Sequence, residues 1–331
     1  MSIAADPIDP TKTRLAVELK HTSPFLGCRF DPSGRFVFAG GQDNAIQRWD
    51  LSNQRKTTLT GHRSWVRSLV FHAETKKLLS ADYAGKVLIW PCEAEQPEPE
   101  RTVDAHEGWV RAIVMAPDGR SFATCGNDRL VKVWSFPECR LVRTLEGHAS
   151  HVYNAAFHPG GRFLVSAELR GAVKQWDLND GKMSRELDAS ALFRHDNTFR
   201  ADHGGVRSLA FNADGTVLAG AGITNVTNAF AGVGNPAILL FNWQSGQRQQ
   251  ILRPQAAFQG TGWGVAFHPD HFVLGVAGGN GGALWFWRPD RELSVHTLTL
   301  PSNARDLHLH PDHRKAAIAF FDNAVRIYDL M

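Results

Sequence analysis

One short pattern recurs seven times along this chain and restricts its possible folds more than any other feature. Each copy is an apolar or aromatic residue that leads into a short turn rich in Pro, Gly, Asp and Ala, and the lead residues are Phe30, Phe71, Met115, Phe157, Phe211, Phe267 and Leu309. A second series of aromatic residues closes each unit, at Trp49, Trp90, Trp134, Trp176, Phe241, Trp287 and Tyr328. Most steps in both series are 41 to 46 residues long. Two interleaved series of this kind indicate seven equivalent structural units.

Within each unit the residues alternate in polarity over short stretches separated by turn residues. The second unit shows this at Val66–Phe71, Leu78–Ser80 and Val87–Trp90, as expected for half-buried strands. Four strands per unit of about 42 residues, repeated seven times, predict an all-β, seven-bladed β-propeller. A chain of 331 residues can form such a ring as a single domain. We expect the propeller to cover residues 14–331 and residues 1–13 to form a flexible N-terminal segment.

The units resemble WD40 repeats. The Gly-His element of that family stands at Gly61-His62 and Gly147-His148, with variants at His21, Ala105-His106 and Asp202-His203. Its Trp-Asp element stands at Trp49-Asp50 and Trp176-Asp177, with the variant Tyr328-Asp329. The resemblance covers about residues 14 to 331 and implies the fold strongly. It implies function weakly, because this fold hosts many functions.

The two ends of the chain are expected to meet in one blade. Arg14–Leu19 precedes His21 in the same way as Arg140–Leu145 precedes His148, while the last unit stops soon after Tyr328 without an outer strand. We therefore predict that the N-terminal strand completes the last blade, which would remove an exposed sheet edge.

The third unit contains a set of residues that resembles a catalytic triad: His106, Thr124, Asp128 and Trp134. A hydroxyl, an imidazole and a carboxylate together are the side chains of a hydrolase site. However, His21, His62 and His148 also lie 18 residues before the matching positions Ala39, Ser80 and Ser166, and a set that recurs in register is typical of architecture. The WD40 resemblance implies a buried hydrogen-bonded tetrad. At the Asp128 position the second unit has Ala84 and the fourth Arg170, so we expect those blades to rely on other packing.

The candidate binding site comes from the strands that should line the central channel. The residues four positions before the lead residues are Leu26, Arg67, Arg111, Tyr153, Arg207, Trp263 and Arg305, and two residues earlier stand Trp65 and Trp109. In a propeller these positions circle the channel mouth on the top face. Arginine and aromatic residues anchor interfaces, and the guanidinium fork matches carboxylates and phosphates. We predict an acidic or phosphorylated peptide ligand; the structural alternative is that the arginine stems pack while their charged heads are solvated.

Two long spacings flag insertions in the fifth unit. They fall at about residues 188–202 and at Gly222–Asn235. We expect both to be loops on the top face that expose Phe193, Phe199 and Phe230 and carry partner specificity. The alternative is that the two insertions pack on each other as decoration.

Composition narrows the function classes. The net charge of +3 is mild, there is no apolar run that could span a bilayer, and the four cysteines form no CxxC pair. We expect a cytoplasmic, non-catalytic scaffold that binds other proteins through the top face and the fifth-blade loops, with no membrane association, cofactor or small-molecule substrate. Nucleic-acid association is the first alternative, since arginines interleaved with aromatic residues can bind phosphates and stack bases.

A propeller enzyme is the second alternative. The candidate acids that depart from the repeat are Asp82 and Glu168, which we interpret as charge balance for the arginine ring. The run His308, His310 and His313 resembles a metal motif, but His310 shares its register with His72, His158 and His268. We therefore predict neither a catalytic residue nor a metal site.

Overall fold

Seven four-stranded antiparallel sheets form the structure, a computed structural model that describes residues 6–228 and 233–331. The N-terminal strand is β1 (Arg14–Lys20). The first three blades are β2 (Phe25–Phe30), β3 (Phe36–Gly41), β4 (Ala45–Asp50) and β5 (Lys56–Thr60); β6 (Val66–His72), β7 (Lys77–Asp82), β8 (Lys86–Pro91) and β9 (Arg101–Asp104); and β10 (Val110–Met115), β11 (Ser121–Gly126), β12 (Val131–Ser135) and β13 (Leu141–Leu145).

The fourth blade is followed by a small hairpin before the ring continues. That blade is β14 (Val152–Phe157), β15 (Phe163–Glu168), β16 (Ala172–Asp177) and β17 (Lys182–Asp188), and the hairpin is β18 (Phe193–Asp196) and β19 (Ala201–Gly204). The remaining strands are β20 (Ser208–Phe211), β21 (Val217–Asn228), β22 (Val233–Asn242) and β23 (Arg248–Leu252); β24 (Gly260–His268), β25 (Phe272–Gly279), β26 (Gly281–Trp287) and β27 (His296–Leu300); and β28 (Ala304–Leu309), β29 (Lys315–Phe320) and β30 (Ala324–Asp329). The two short 3₁₀ helices are Pro10–Lys12 and Ser190–Leu192.

The predicted seven-bladed all-β propeller is confirmed, including its closure. β1 pairs antiparallel with β30, with Leu19 opposite Val325, and so completes the sheet β1-β30-β29-β28. The Arg326 guanidinium strengthens this joint, because it donates to Glu18 of β1 at 2.6 Å and to Asp322 at 2.8 Å. A chain end that pairs within a blade leaves no gap in the ring.

Part of the N-terminal segment expected to be flexible packs on the propeller. Residues 1–5 lie outside the described residues, but Ile8 is buried, and its backbone N–H donates to Asp270 Oδ2 at 2.7 Å. The Asp9 backbone N–H also donates to the carbonyl of Met331. From residue 6 onwards the segment is therefore held by the last two blades, because a buried isoleucine and two hydrogen bonds fix it there.

The middle strands of each blade are buried because each sheet packs between two neighbours. All six residues of β3 and all six of β4 are buried, whereas the outer strand β5 is mostly exposed. Neighbouring blades therefore cover both faces of these middle strands, as in the cluster where Phe38 of the first blade contacts Phe71 of the second. Seven clusters of this kind, each shared by two neighbouring blades, stabilise the described ring.

Recurrent histidines join neighbouring blades on the face opposite the channel mouth discussed below. The Nε2 atom of His158 lies 3.2 Å from the Gly215 carbonyl, that of His268 2.8 Å from the His313 carbonyl, and that of His310 3.1 Å from the Gly34 carbonyl. In each case the carbonyl belongs to a turn of the next blade. The repeated register of these histidines is thus explained by contacts between blades.

The fifth-blade insertions form strands rather than the loops expected from the sequence. β18 and β19 make a hairpin, and β21 and β22 continue past the point where the equivalent strands of other blades turn. Arg194 Nη1 donates to the Val226 carbonyl at 2.6 Å, so the two insertions are fastened to each other. Phe193 is half-buried, Phe199 is exposed, and Phe230 lies outside the described residues.

Candidate functional site

The mouth of the central channel lies where the inner strands begin. It is a cavity of about 330 Å³ lined by Leu26, Gln42, Trp65, Arg67, Tyr83, Arg111, Tyr153, Arg207, Trp263, Arg305 and Phe321. The seven positions that the sequence aligned therefore all reach one opening, although they come from seven different blades. Trp65 lines the same cavity, and Trp109 borders it through a stack with Tyr83.

Guanidinium groups and aromatic rings alternate along one arc of this mouth. Arg111 lies 4.4 Å from the ring centre of Trp109 and 4.7 Å from that of Tyr153. Arg207 follows, at 4.2 Å from Tyr153 and 5.4 Å from Trp263. In contacts of this kind the negative face of the ring attracts the cation, and the N–H edge of the guanidinium group stays available for hydrogen bonds.

The arc ends in the seventh blade. Arg305 lies 4.7 Å from the ring centre of Trp263 and 4.9 Å from that of Phe321. Tyr153 thus lies between Arg111 and Arg207, and Trp263 lies between Arg207 and Arg305. Each of these two rings contacts arginines from two different blades. The arrangement fixes the guanidinium groups without an acidic partner.

Among the described residues, no carboxylate pairs with Arg67, Arg111, Arg207 or Arg305. Burial lowers the pKa of Arg111, Arg207 and Arg305 from the usual value for arginine, and the charge on Arg67 lowers each further. An arginine stays protonated under these conditions. The mouth is therefore a concentrated positive charge without a counterion from the described residues.

The channel below the mouth contains an arginine that does have an acidic partner. It has a volume of about 510 Å³, and there Arg29 donates to Asp306 Oδ2 at 2.5 Å. The same carboxylate oxygen accepts from the Cys28 backbone N–H at 3.1 Å. The charge of Arg29 is thus neutralised by a carboxylate, whereas the four mouth arginines have no such partner among the described residues.

Arg67, Arg111 and Arg207 have polar partners, the last in the Tyr153 side chain, but Arg207 and Arg305 each retain a buried unpaired donor. Arg67 Nη1 donates to the Leu26 carbonyl at 2.6 Å, and Arg111 Nε donates to Asn127 Oδ1 at 2.7 Å. By contrast, Arg207 Nε and Arg305 Nε are buried without a hydrogen-bond partner, and so is Trp263 Nε1. Buried donors normally have partners, so these three need an explanation.

Sequence reasoning missed Tyr83, the central ring of an aromatic shelf beside the mouth. The ring centres of Tyr83 and Trp109 are 4.0 Å apart with an interplanar angle of 5°, and Trp65 lies 6.1 Å from Tyr83 on the other side. Trp65 is 42% exposed and Trp109 40%. The shelf therefore presents flat apolar surface to solvent next to the guanidinium groups.

A shared register could have identified both Tyr83 and Phe321 from the sequence. Tyr83 lies 18 residues after Trp65, and Phe321 lies 18 residues after Asn303, in the turn between the second and third strands. The backbone pairs them across the sheet, since the Tyr83 N–H donates to the Trp65 carbonyl at 3.1 Å and the Phe321 N–H to the Asn303 carbonyl at 3.0 Å. An alignment of these turns would have placed both side chains at the mouth.

The triad-like residues of the third blade form a closed hydrogen-bonded set. His106 Nδ1 lies 2.9 Å from Asp128 Oδ1, and His106 Nε2 lies 2.8 Å from Thr124 Oγ1. The Trp134 indole N–H donates to the same hydroxyl at 2.9 Å. Because the imidazole and the Thr124 hydroxyl are occupied and buried within the blade, this set is positioned to stabilise the sheet.

The second blade builds the same set with a carboxylate from a different register, which corrects our expectation. His62 Nδ1 lies 2.9 Å from Asp82 Oδ2, and Ser80 Oγ contacts both His62 Nε2 at 2.6 Å and Trp90 Nε1 at 2.8 Å. Asp82 stands two residues before the exposed Ala84 that occupies the Asp128 position. The expectation that this blade lacks the tetrad was wrong.

The fourth blade repeats this solution with the longer glutamate. Glu168 Oε2 lies 2.9 Å from His148 Nδ1, while Ser166 Oγ lies 2.6 Å from His148 Nε2 and accepts from Trp176 Nε1 at 2.8 Å. The interpretation of Asp82 and Glu168 as charge balance for the arginine ring was therefore wrong. Both carboxylates pair with a histidine of their own blade.

The first blade keeps only part of the set. His21 Nε2 lies 2.7 Å from Asp43 Oδ2, but Ala39 has no hydroxyl to continue the chain of hydrogen bonds. In the fifth blade the histidine of the Gly-His variant does not take the tetrad position, since His203 lies in β19 opposite Arg194. The tetrad is thus complete in three neighbouring blades and incomplete around the rest of the described ring.

The histidine run resembling a metal motif is divided among other contacts. His308 Nδ1 accepts from the Phe30 backbone N–H at 3.2 Å, while His310 and His313 belong to the contacts between blades described above. Over residues 6–228 and 233–331, no three His, Cys, Asp or Glu side chains are grouped so as to hold a metal ion. The described part of the chain also contains no helix long and apolar enough to cross a membrane.

Comparison with known proteins matches the first half of the chain to a family model. The model described as WD domain, G-beta repeat matches residues 13–50, 53–91, 97–135 and 139–177. Each match begins with the outer strand of one blade and ends with the third strand of the next, which is the same offset that closes the ring through β1.

Several relatives share this repeat over part of their length. The chain is 26% identical over 300 residues to apoptotic protease-activating factor 1 of Rattus norvegicus, which covers 89% of this chain and 18% of that protein. It is 28% identical over 144 residues to protein HIR1 of Mycosarcoma maydis, and the match covers 38% of this chain and 14% of that protein. It is 29% identical over 131 residues to polyadenylation factor subunit 2 of Candida albicans, and the match covers 39% of this chain and 23% of that protein. The chain thus spans less than a quarter of each of these relatives. Four matched repeats, followed by three further blades of the same four-stranded form, show that the chain belongs to the WD40-repeat β-propeller family.

Proposed function

We propose that this chain is a non-catalytic scaffold whose channel mouth binds an acidic or phosphorylated peptide segment of a partner protein. One observation supports this most: four guanidinium groups converge on a mouth where they meet aromatic rings and no described carboxylate. An anionic ligand would supply the missing charge. Protein binding is typical of WD40 propellers, and the subunit named among the relatives agrees with a role in an assembly.

The absence of free catalytic groups in the tetrads supports the non-catalytic part of this proposal. Asp82 and Glu168 were the residues that pointed to an enzyme, and each is now assigned to a buried histidine. Their oxygens also accept backbone N–H groups, from Ala84 and Lys86 for Asp82 and from Ala149 and Ser150 for Glu168. Groups held in this way are occupied by the fold.

The fifth-blade hairpin β18–β19 extends the proposed surface. It presents the exposed Arg194, Phe199 and Arg200. Arg170 of the preceding blade donates to Asp202 Oδ2 at 2.7 Å, and His195 Nδ1 lies 2.7 Å from Asp202 Oδ1, so the hairpin has a defined position. We assign it a second contact with the same partner, because its basic and aromatic side chains match the chemistry of the mouth.

The test is selection from random peptide libraries, one unmodified and one phosphorylated. Peptides bound by the full chain should be enriched in Asp, Glu or phosphorylated residues. A variant with Arg67, Arg111, Arg207 and Arg305 changed to Gln should lose this enrichment. A matched control changes the exposed Arg120, Arg140, Arg248 and Arg291 to Gln, which alters the net charge equally on the opposite face. The same peptides selected by the mouth variant, or no preference for anionic residues, would refute the proposal.

A second candidate function is association with single-stranded nucleic acid, and the exposed shelf of Trp65, Tyr83 and Trp109 favours it. Bases stack on aromatic rings, and neighbouring arginines neutralise phosphates. This function requires binding of a single-stranded oligonucleotide whose affinity falls steeply with salt concentration. Loss of that binding in Trp65→Ala, without loss of peptide binding, would separate the two functions.

A further inference from the structure

The mouth is chemically uneven around its circumference. On the side of the first three blades, Arg67 donates to the Leu26 carbonyl and Arg111 to Asn127. On the side of the fifth to seventh blades, the unpaired donors are Arg207 Nε, Trp263 Nε1 and Arg305 Nε. These three residues are consecutive in the arc, since Trp263 lies between the two guanidinium groups. Buried donors without a partner at the mouth are therefore concentrated in one sector.

We infer that this sector, formed by Arg207, Trp263 and Arg305, binds a phosphate monoester group carried by the ligand. The inference rests on the proposed function and deepens it, because it selects phosphate over carboxylate and gives the bound group a place. The indole N–H of Trp263 becomes a ligand donor between two guanidinium groups. No covalent step is involved.

The number of acceptors and charges favours phosphate. A phosphate monoester carries close to two negative charges at neutral pH and offers three acceptor oxygens. Guanidinium groups bind such oxygens in pairs, and hydrogen bonds to charged groups are the strongest of their kind. A carboxylate has one charge and two oxygens in one plane, so it would neutralise less of the charge of the two guanidinium groups and offer fewer acceptor directions to the three residues.

The unliganded arrangement also favours a ligand that reorients these side chains. The unpaired atoms are covered by neighbouring rings, and an unpaired buried donor is unfavourable. Small rotations of Arg207 and Arg305 toward an acceptor would satisfy their donors while the contacts with Trp263 persist. Binding then removes an unfavourable feature of the free mouth, and among the described residues neither Arg67 nor Arg111 has a buried unpaired donor that would gain in this way.

The test compares phenyl phosphate with benzoate, which share an aromatic ring and differ in the anionic group. Binding is followed through the indole N–H resonances of the ¹⁵N-labelled full chain. The resonance absent in Trp263→Phe identifies Trp263, and it should move with phenyl phosphate. Trp243→Phe is the matched control, since that ring packs against His158 on the opposite face.

The expected result is that phenyl phosphate binds at least about tenfold more tightly than benzoate. Trp263→Phe and Arg305→Lys should each weaken it by about tenfold, because each removes a hydrogen bond to a charged group. Arg162→Lys, at an exposed pair with Asp177, should leave binding unchanged.

Three results would overturn the inference. Equal affinity for benzoate would exclude the preference for phosphate but leave an acidic peptide ligand intact. An unshifted Trp263 resonance during binding would exclude the sector. No binding of either anion would overturn the phosphate site, while the peptide selection would still decide the proposed function independently.

Discussion

Replacement of Asp82 by Ala tests the corrected account of the tetrads most directly. The Asp82 side chain is fully buried and accepts three hydrogen bonds of 2.9 Å, from His62 Nδ1 and from the backbone N–H groups of Ala84 and Lys86. The substitution removes all three. We expect this change to destabilise the whole propeller.

The magnitude follows from the donors left behind. A buried donor without a partner costs about 1–3 kcal/mol. Lys86 and Ala84 lie at a turn that water can reach, so we count His62 fully and the two amides in part. The expected loss is roughly 2–5 kcal/mol of unfolding free energy, which corresponds to a fall in Tm of roughly 3–7 °C for a domain of this size.

The chain offers both a control and a rescue. In the third blade Asp128 is 10% exposed, and its contacts with the Glu107 and Leu130 amides are longer, at 3.3 and 3.2 Å, so Asp128→Ala should cost less. Ala84 is exposed and occupies the Asp128 position, so adding Ala84→Asp to Asp82→Ala should restore part of the stability.

The assay is urea and thermal unfolding of the four proteins, followed by circular dichroism. A change below about 1 kcal/mol for Asp82→Ala would refute the claim that this carboxylate satisfies buried donors. Failure of Ala84→Asp to recover any stability would refute the claim that the two registers are equivalent.

Three further outcomes follow from the structure. Stability should fall as the pH drops below 6.5, because burial lowers the pKa of His308 to about 3 and also lowers that of His148. The unfolded chain then binds protons that the native state does not. Urea midpoints measured from pH 8 to pH 5 test this, and a midpoint that rises toward acid pH would contradict it. A second loss should begin below about pH 4: burial raises the pKa of the Asp82 carboxyl, but the interactions with His62 and the backbone N–H groups of Lys86 and Ala84 together outweigh it and hold that pKa below 3.8; the urea midpoints of Asp82→Ala should lack the contribution of Asp82 to this loss. Deletion of residues 1–20 removes β1 and should give an aggregating product by light scattering, whereas deletion of residues 1–5 should not, and a soluble, cooperatively melting product of the longer deletion would count against closure.

Much of the candidate site was predictable because equivalent residues recur at a fixed distance from the lead residues. Arg67, Arg111, Arg207 and Arg305 share one register, and equivalent inner strands around a ring bring one register to one rim. Tyr83 was missed because the alignment used the inner strands and ignored the turn between the second and third strands. The extended strands β21 and β22 were missed because the insertion lacks the alternation seen elsewhere.

The sequence by itself determined the number of blades, their closure through β1 and the rim on which the arginines lie. These properties depend on local strand patterns and on a repeat, and both are written in residue spacing. Only the tertiary structure decided which carboxylate completes each tetrad, because Asp82 and Asp128 reach equivalent histidines from positions two residues apart. It also decided which arginines keep unpaired donors, because their neighbours come from other blades and no sequence separation encodes that distance.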